Sequence, residues 1–412
     1  MDHYTETTRT SFGQNVGNSF KGIITGIILV IASIVLLWWN EGRSVEQKDA
    51  LNEMQNAIET LPNTQYDAKY NNKAVLLQGK VAPNGNVQDP IFGIKSPVLI
   101  LERKVEMYQW HEKTSTHTEE KIGGATETTT TYDYVKDWSS TEISSSSFKH
   151  PEGHHNPSMA YKTEKFVTDA TMGDFHLANN IVAQFSANQS FGDLSSLRKQ
   201  IGDVTNHGSF LYKGYNPNTP QVGDLRITFG YAGGGEYSIA AKLNERNVVA
   251  YNTKNGKNFI FIRNGIVSAQ EIFKAEHEAN AFMTWILRAV GLLIMFIGFN
   301  MILKPLVAVA NVIPFIGSII GAGTGLVAAI LTFILGPIVI ALAWFASRPL
   351  FSLTIIAIGG IIAFLLSSKG KSKVAQMGTT PPPSPLNTSA IEETNTTPPP
   401  SPSNGTTPPP RN

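Results

Sequence analysis

The chain has 412 residues, 42% of them hydrophobic and 16% charged, with a formal net charge of +1. So even a balance offers no basic face for neutralising phosphates, which argues against a nucleic-acid partner. The absence of cysteine excludes disulfides, thiol nucleophiles, cysteine-ligated zinc and iron–sulfur clusters.

The apolar residues are gathered in blocks, and the blocks order the chain. Residues 1–19 read as a polar N-terminal tail. Residues 20–39 follow as a first transmembrane helix: Gly22 to Trp39 is uncharged, about as long as the ~20 residues that cross a bilayer core, and closes on the Trp38-Trp39 pair. The preceding tail and the lack of an A-x-A site favour a signal anchor over a cleaved signal peptide.

Residues 44–280 form a large extramembrane domain. It opens with a helix over Val45 to Leu61, where Leu51, Met54, Ile58 and Leu61 make one apolar stripe. This helix is expected to extend the first span or to pack beside it. Strands then dominate. Val98 to Trp110 and Thr128 to Ser140 alternate apolar or aromatic with polar residues across a polar connection, which predicts a long antiparallel hairpin. DLRITFGYAG, YSIAAKL, NVVAYNT and NFIFIRNG follow, and Asn255-Gly256 suggests a type I′ turn. Short helices are expected near Leu177 to Phe185 and Ser268 to Ala279. The fold class is a multi-pass α-helical membrane protein with a large inserted α+β domain on antiparallel sheet, a small barrel being one solution.

The second transmembrane helix is expected over residues 281–303, with Arg288 one turn inside it after Trp285. Arg288 either snorkels to the headgroups or is a functional intramembrane charge. From Pro305 to Ser347 no residue is charged. Either residues 305–323 lie at the interface or re-enter and 324–346 span, or both halves cross with Gly321 to Gly325 as the turn. A fourth span is expected over 350–367, and a proline-rich disordered tail over 370–412, where TTPPPSP occurs twice. With four spans, Arg9, Lys21, Lys304 and Lys369, Lys371 and Lys373 share one face, the cytoplasmic one by the positive-inside rule. Both termini are then cytoplasmic and the domain lies opposite; five spans would divide the lysines. Gly317, Gly321 and Gly325 share a helical face, suited to packing within the bundle or to self-association.

Chemistry-bearing patterns are few. His150, His154 and His155 cluster with Glu152, but Pro151 and Gly153 break the helix that H-x-x-x-H would need. His111-Glu112 with His117 fails the zincin spacing, and neither a G-x-S-x-G elbow nor a P-loop is present. No catalytic residue, metal ligand or cofactor is assigned.

Several motifs, in order, resemble the LUMA family of four-span membrane proteins. They are NEGR (Asn40, Glu41, Gly42, Arg43), VEMYQW (with Glu106, Tyr108 and Trp110), YDYVKDW, GHHNPSMA (with Asn156 and Pro157), PQVGDLRITFGYAG (with Gly223, Asp224 and Arg226), the TW-LRA-G entry holding Trp285 and Arg288, and RPL from Arg348. The resemblance covers roughly residues 20–367. It implies a scaffold without established enzymatic activity, associating with itself and with other membrane proteins. For animal members it implies the endoplasmic reticulum and inner nuclear membrane; the lack of cysteine and the Pro/Thr tail suit a bacterial inner membrane. The first expectation is therefore a non-enzymatic, self-associating scaffold whose partners are membrane lipids, its own copies and other membrane proteins. The alternative is a membrane-anchored enzyme or sensor using the GHHNPSMA loop. A transporter ranks last, since only Arg288 and Asn300 place polarity deep in the spans.

Overall fold

The computed structural model describes residues 2–348 and, beyond them, 354, 357, 358 and 361. The expected fourth span and proline-rich tail therefore lie almost wholly outside the described residues.

Helix α1 runs unbroken over Phe12–Ala57. Ser11 and Gln14 form a capping box at its start, and no proline interrupts it. The helix predicted after the first apolar run is thus its direct continuation. Between α1 and the second long helix lies a four-residue helix, α2 (Asn179–Val182), much shorter than the helical piece expected there. Helix α3 (Ala269–Ala310) begins at a second capping box, Ser268 with Glu271, and carries Pro305 inside it. Helix α4 (Pro314–Ala346) starts with proline at its first turn, where the missing N–H costs nothing. These three long helices are apolar enough to cross a membrane.

The chain turns at Asn311–Ile313, not at Gly321 to Gly325, which lie within α4. The expected separate segment 305–323 is instead divided, its first part ending α3 and its last part beginning α4. The cause is local. Asn311 lies close against Gly317, where a side chain would collide, so the corner closes before the glycine-rich stretch begins.

The three helices pack through small residues. A Cβ on Gly26 would lie 2.6 Å from the Gly298 carbonyl oxygen, and one on Gly298 would lie 2.9 Å from that of Gly26, so α1 and α3 touch backbone to backbone. Leu37, Met295 and Val339 fill the bundle centre.

The domain is built on two large sheets, with two further two-stranded ones among the described residues. Strands β1 (Asp2–Thr10), β2 (Ala74–Pro83), β3 (Ile100–Glu120), β4 (Thr126–Ser139), β5 (Glu164–Val167), β6 (Ala170–Met172), β7 (Phe175–Leu177), β8 (Leu225–Ala232), β9 (Gly235–Asn244) and β10 (Asn247–Val249) carry most of both. In one sheet, β2, β6, β7, β10 and β9 pair in turn and β9 pairs back onto β2, closing a five-stranded barrel. Alternation along β2 sends Val75 and Leu77 into the barrel core and Ala74 and Leu76 outward. The outward pair packs with Ala50, Leu51 and Met54 of α1 and Ile272 and Phe273 of α3. The barrel is thus seated on the helix pair that enters the membrane bundle.

The other sheet holds the predicted hairpin, β3 with β4, flanked by β8 and β5. Its apolar face is built on Val105, Met107, Leu225, Ile227 and Phe229. The Asn255-Gly256 hairpin forms with a different turn. Gly256 alone takes a positive φ, +82°, and Thr253 and Lys257 pair across a three-residue loop, as in a type I turn with a glycine bulge.

The N-terminal residues are not a bare tail. β1 pairs antiparallel with β4 from Asp2 against Tyr134 to Thr10 against Thr126. The resulting ribbon of β1, β4 and β3 is exposed from Lys113 to Glu120 and reaches the far end of the helices. There Gly123 N donates to the Val312 carbonyl (3.0 Å) and Asn15 Nδ2 to that of Gly124 (3.0 Å). A tail lying across a bilayer from the domain could not make the β1 pairing, so that expectation and this arrangement exclude each other.

Candidate functional site

The strongest polar constellation lies where α1 and α3 leave the apolar bundle. Asn40 and Glu41 follow Leu37 by one turn on α1, and Asn280, Thr284 and Arg288 recur every four residues on α3, so the two stripes face each other. Arg288 donates from Nε to Glu41 Oε1 (2.7 Å) and from Nη2 to Oε2 (2.8 Å). The Glu41 side chain is 2% exposed and that of Arg288 20%. Arg288 is thus held in a two-pronged ion pair, with its guanidinium also stacked 4.8 Å from the Trp285 ring centre.

Around the pair, Arg43 donates to Asn280 Oδ1 (3.2 Å), Asn40 Oδ1 (3.3 Å) and Thr284 Oγ1 (3.0 Å). Asn40 Nδ2 reaches the Thr284 carbonyl (3.1 Å) and Asn280 Nδ2 that of Ser44 (3.0 Å). Gly42 faces Ser347 at the end of α4, 3.8 Å from where a Cβ would stand. Beside this seam opens a cavity of about 480 Å³, lined by Lys48, His277, Arg288 and Arg348 among others.

A second constellation fastens the ribbon root to the sheet. Asn156 accepts from Trp110 N (2.7 Å) and donates to the Trp110 carbonyl (3.0 Å) and the Ile143 carbonyl (3.2 Å), completing backbone bonds as a strand would. Gly223, at φ +97°, leaves room for Pro157, whose Cγ would be 2.8 Å from a Cβ there. Gly223 N and the Asp224 carbonyl close a backbone pair with Tyr108, and Asp224 accepts from the Tyr212 hydroxyl (2.7 Å). Arg226 pairs with Glu106 (2.8 Å) and lies over Trp138.

The histidine loop is built into this packing. His154 is buried and stacked on Tyr134, with ring centres 3.8 Å apart, and edge-on to Trp110. Its Nδ1 lies 2.8 Å from the His150 carbonyl and its Nε2 3.0 Å from Asp2. His150 stacks on Tyr4, and His155 is exposed. Among the described residues no group of three His, Asp or Glu side chains could hold a metal. Burial, followed by the hydrogen bond to Glu112, pushes Tyr134 up to about 12. It therefore stays a protonated donor at neutral pH.

Of the glycine stripe, Gly321 faces Val307 (3.5 Å) and Gly325 faces Asn300 (3.9 Å), both on α3 of the same chain. The Glu41–Arg288 pair and the Gly26–Gly298 crossing were not read from the sequence. A carboxylate just past one span and an arginine just inside the next were the available signal for the first. Nothing distinguished Gly26 or Gly298 from other glycines in apolar runs.

The family model described as transmembrane protein 43 matches residues 107–349, more than half of the chain. Transmembrane protein 43 of Homo sapiens is 29% identical over 364 residues, covering 85% of this chain and 90% of that protein. The Rattus norvegicus protein of the same name is 28% identical over 365 residues, covering 84% and 90%. The transmembrane protein 43 homolog of Drosophila melanogaster is 30% identical over 295 residues, covering 70% and 78%. No solved structure matches. With the TW-LRA-G, GHHNPSMA and PQVGDLRITFGYAG motifs inside the matched span, the chain belongs to the transmembrane protein 43 family, the LUMA family resembled by its motifs.

Proposed function

We propose that this protein is a non-enzymatic membrane scaffold that self-associates and organises membrane or protein complexes. One observation carries the reading: the polar residues of the family motifs, with Asn280 beside them, are engaged within the fold. Glu41, Arg288, Arg43, Asn280 and Thr284 tie helix to helix, and Asn156, Asp224, Arg226 and Glu106 tie ribbon to sheet. A catalytic site needs such groups turned toward a reacting molecule. His154, the centre of the alternative enzyme or sensor reading, is stacked on Tyr134 and held to the His150 carbonyl through Nδ1, neither contact depending on β1.

The partners of this reading are lipids, further copies of the chain and other membrane proteins. α4 offers Phe315, Ile319, Leu326 and Phe333 on exposed surface for either lipid or a neighbouring copy. Crosslinking in native membranes, followed by mild solubilisation and native mass measurement, is expected to give discrete homo-oligomers. A monomer at every loading overturns self-association.

The topology belongs to the same proposal. Four spans would place Lys21, Lys304 and the lysines after residue 368 on the cytoplasmic face, with the domain opposite. β1 must then be released from β4 and the β3–β4 tip must leave the helices, because strands bearing Glu6, Arg9, Lys113 and Glu127 cannot run exposed through hydrocarbon.

A further inference from the structure

We propose that the cavity beside the α1–α3 seam binds the phosphate of an anionic membrane lipid. The inference rests on the bundle lying in a bilayer and is independent of self-association.

The depth of the cavity is the first argument. Four of the six tryptophans, Trp38, Trp39, Trp285 and Trp344, stand at the end of the bundle nearest the domain, one or two on each helix. Indole prefers the headgroup region, so this ring marks the interface. The cavity lies at that level, between α1, α3 and the end of α4.

Its charge is the second. Lys48, Arg288 and Arg348 line it, and no carboxylate does. Glu41 engages Arg288 through Nε and Nη2, which leaves Nη1 to another acceptor. Arg348 is held over Trp344 (4.6 Å), which fixes its guanidinium plane without neutralising it. Lys48 and Arg348 have no ion-pair partner among the described residues. The Ser44 hydroxyl and the Asn52 amide add neutral hydrogen-bonding groups. Two fork-shaped guanidinium groups and one ammonium around a cavity of about 480 Å³ suit a tetrahedral phosphate carrying negative charge.

The surroundings are the third. From Trp285 into the bundle, α3 exposes Val290 and Leu293, and α4 exposes Leu342 and Ile338. A phosphate in the cavity would leave its acyl chains along these apolar surfaces. A soluble phosphate would gain nothing from them.

The test uses the full chain in nanodiscs, with bound lipid counted by native mass measurement after partial delipidation. Phosphatidic acid and phosphatidylglycerol are expected to be retained over phosphatidylcholine. The double variant Lys48→Gln, Arg348→Gln is expected to lose about tenfold in retention of the anionic lipids and nothing for phosphatidylcholine. Lys48→Arg is expected to keep it. Neither substituted residue touches Glu41, so the seam stays closed. Equal retention of the lipid classes, or equal loss in Lys48→Arg and the double variant, overturns the site. So does glycerol 3-phosphate displacing the lipid at equal concentration, which would assign the cavity to a soluble phosphate. Failure to enter nanodiscs at all would overturn the membrane reading instead.

Discussion

The two ends of the helix bundle are held in opposite ways. At the domain end, a buried ion pair and a ladder of amide and hydroxyl bonds join α1 to α3, and the barrel packs apolar residues onto both. At the far end, the ribbon tip meets the helices through a few part-buried hydrogen bonds and no ion pair among the described residues, over a cavity of about 490 Å³ lined by Asn15, Glu120 and Lys304 among others. A charge-assisted pair with a buried carboxylate beside an apolar seat holds more tightly than a few neutral bonds beside an open cavity. The domain end is thus a permanent joint, and the ribbon tip a contact that its surroundings can undo.

The largest effect is expected at the joint. Glu41→Ala leaves Arg288 charged and four-fifths buried without its partner, a loss of up to about 3 kcal/mol. Thermal unfolding in detergent should show it as the largest drop of any single substitution here. The double change Glu41→Met, Arg288→Met should recover most of the loss, because it removes the desolvated charges together. A double variant no more stable than Glu41→Ala would show that the pair is not what closes the joint.

Next comes the crossing below it. Gly26→Val would push a branched side chain into the Gly298 carbonyl and Ile302 N, at a cost of about 1–3 kcal/mol. Gly323→Ala on α4 meets open space and should stabilise by up to ~1 kcal/mol. The same unfolding measurement reads both, and equal signs would contradict the assigned packing. Asn156→Ala, which removes three backbone-completing bonds at the ribbon root, should cost about 1–3 kcal/mol.

The far end calls for a geometric test. The chain has no cysteine, so Thr5→Cys with Thr131→Cys, directly opposite in the β1–β4 register, gives one unambiguous pair. In sealed vesicles the disulfide is expected not to form. Its appearance there would overturn the four-span orientation. The smallest effect is expected for Arg226→Ala, whose half-exposed partner Glu106 and neighbour Trp138 give at most about 1 kcal/mol.

What could be read in advance followed chain proximity. The helix after the first span was visible from the stripe at Leu51 and Met54, whereas its continuity with the span, one of two expected arrangements, was not fixed by the pattern. The β3–β4 hairpin was visible because its two strands are sequence neighbours with matching alternation. Glu41 and Arg288 were named singly, but they stand 247 residues apart, and a single sequence holds no information on which distant charges meet. β1 was missed for a related reason. DHYTETTRT alternates weakly and finds its partner, another threonine-rich run, more than a hundred residues away. What lies against Gly317, Gly321 and Gly325, namely Asn311, Val307 and Asn300, is set by the α3–α4 corner, which no local pattern fixes.

The 46-residue span of α1 has a mechanical meaning. At 1.5 Å per residue it is a rod of roughly 70 Å, and it enters both the bundle and the barrel seat without a linker. α3 does the same in the opposite direction, and the Glu41–Arg288 pair bolts the two rods together midway. A domain on one flexible tether could sweep a hemisphere. Mounted on two coupled rods, it transmits any tilt or rotation of the bundle directly to the β surface, so a force applied at either end is felt at the other.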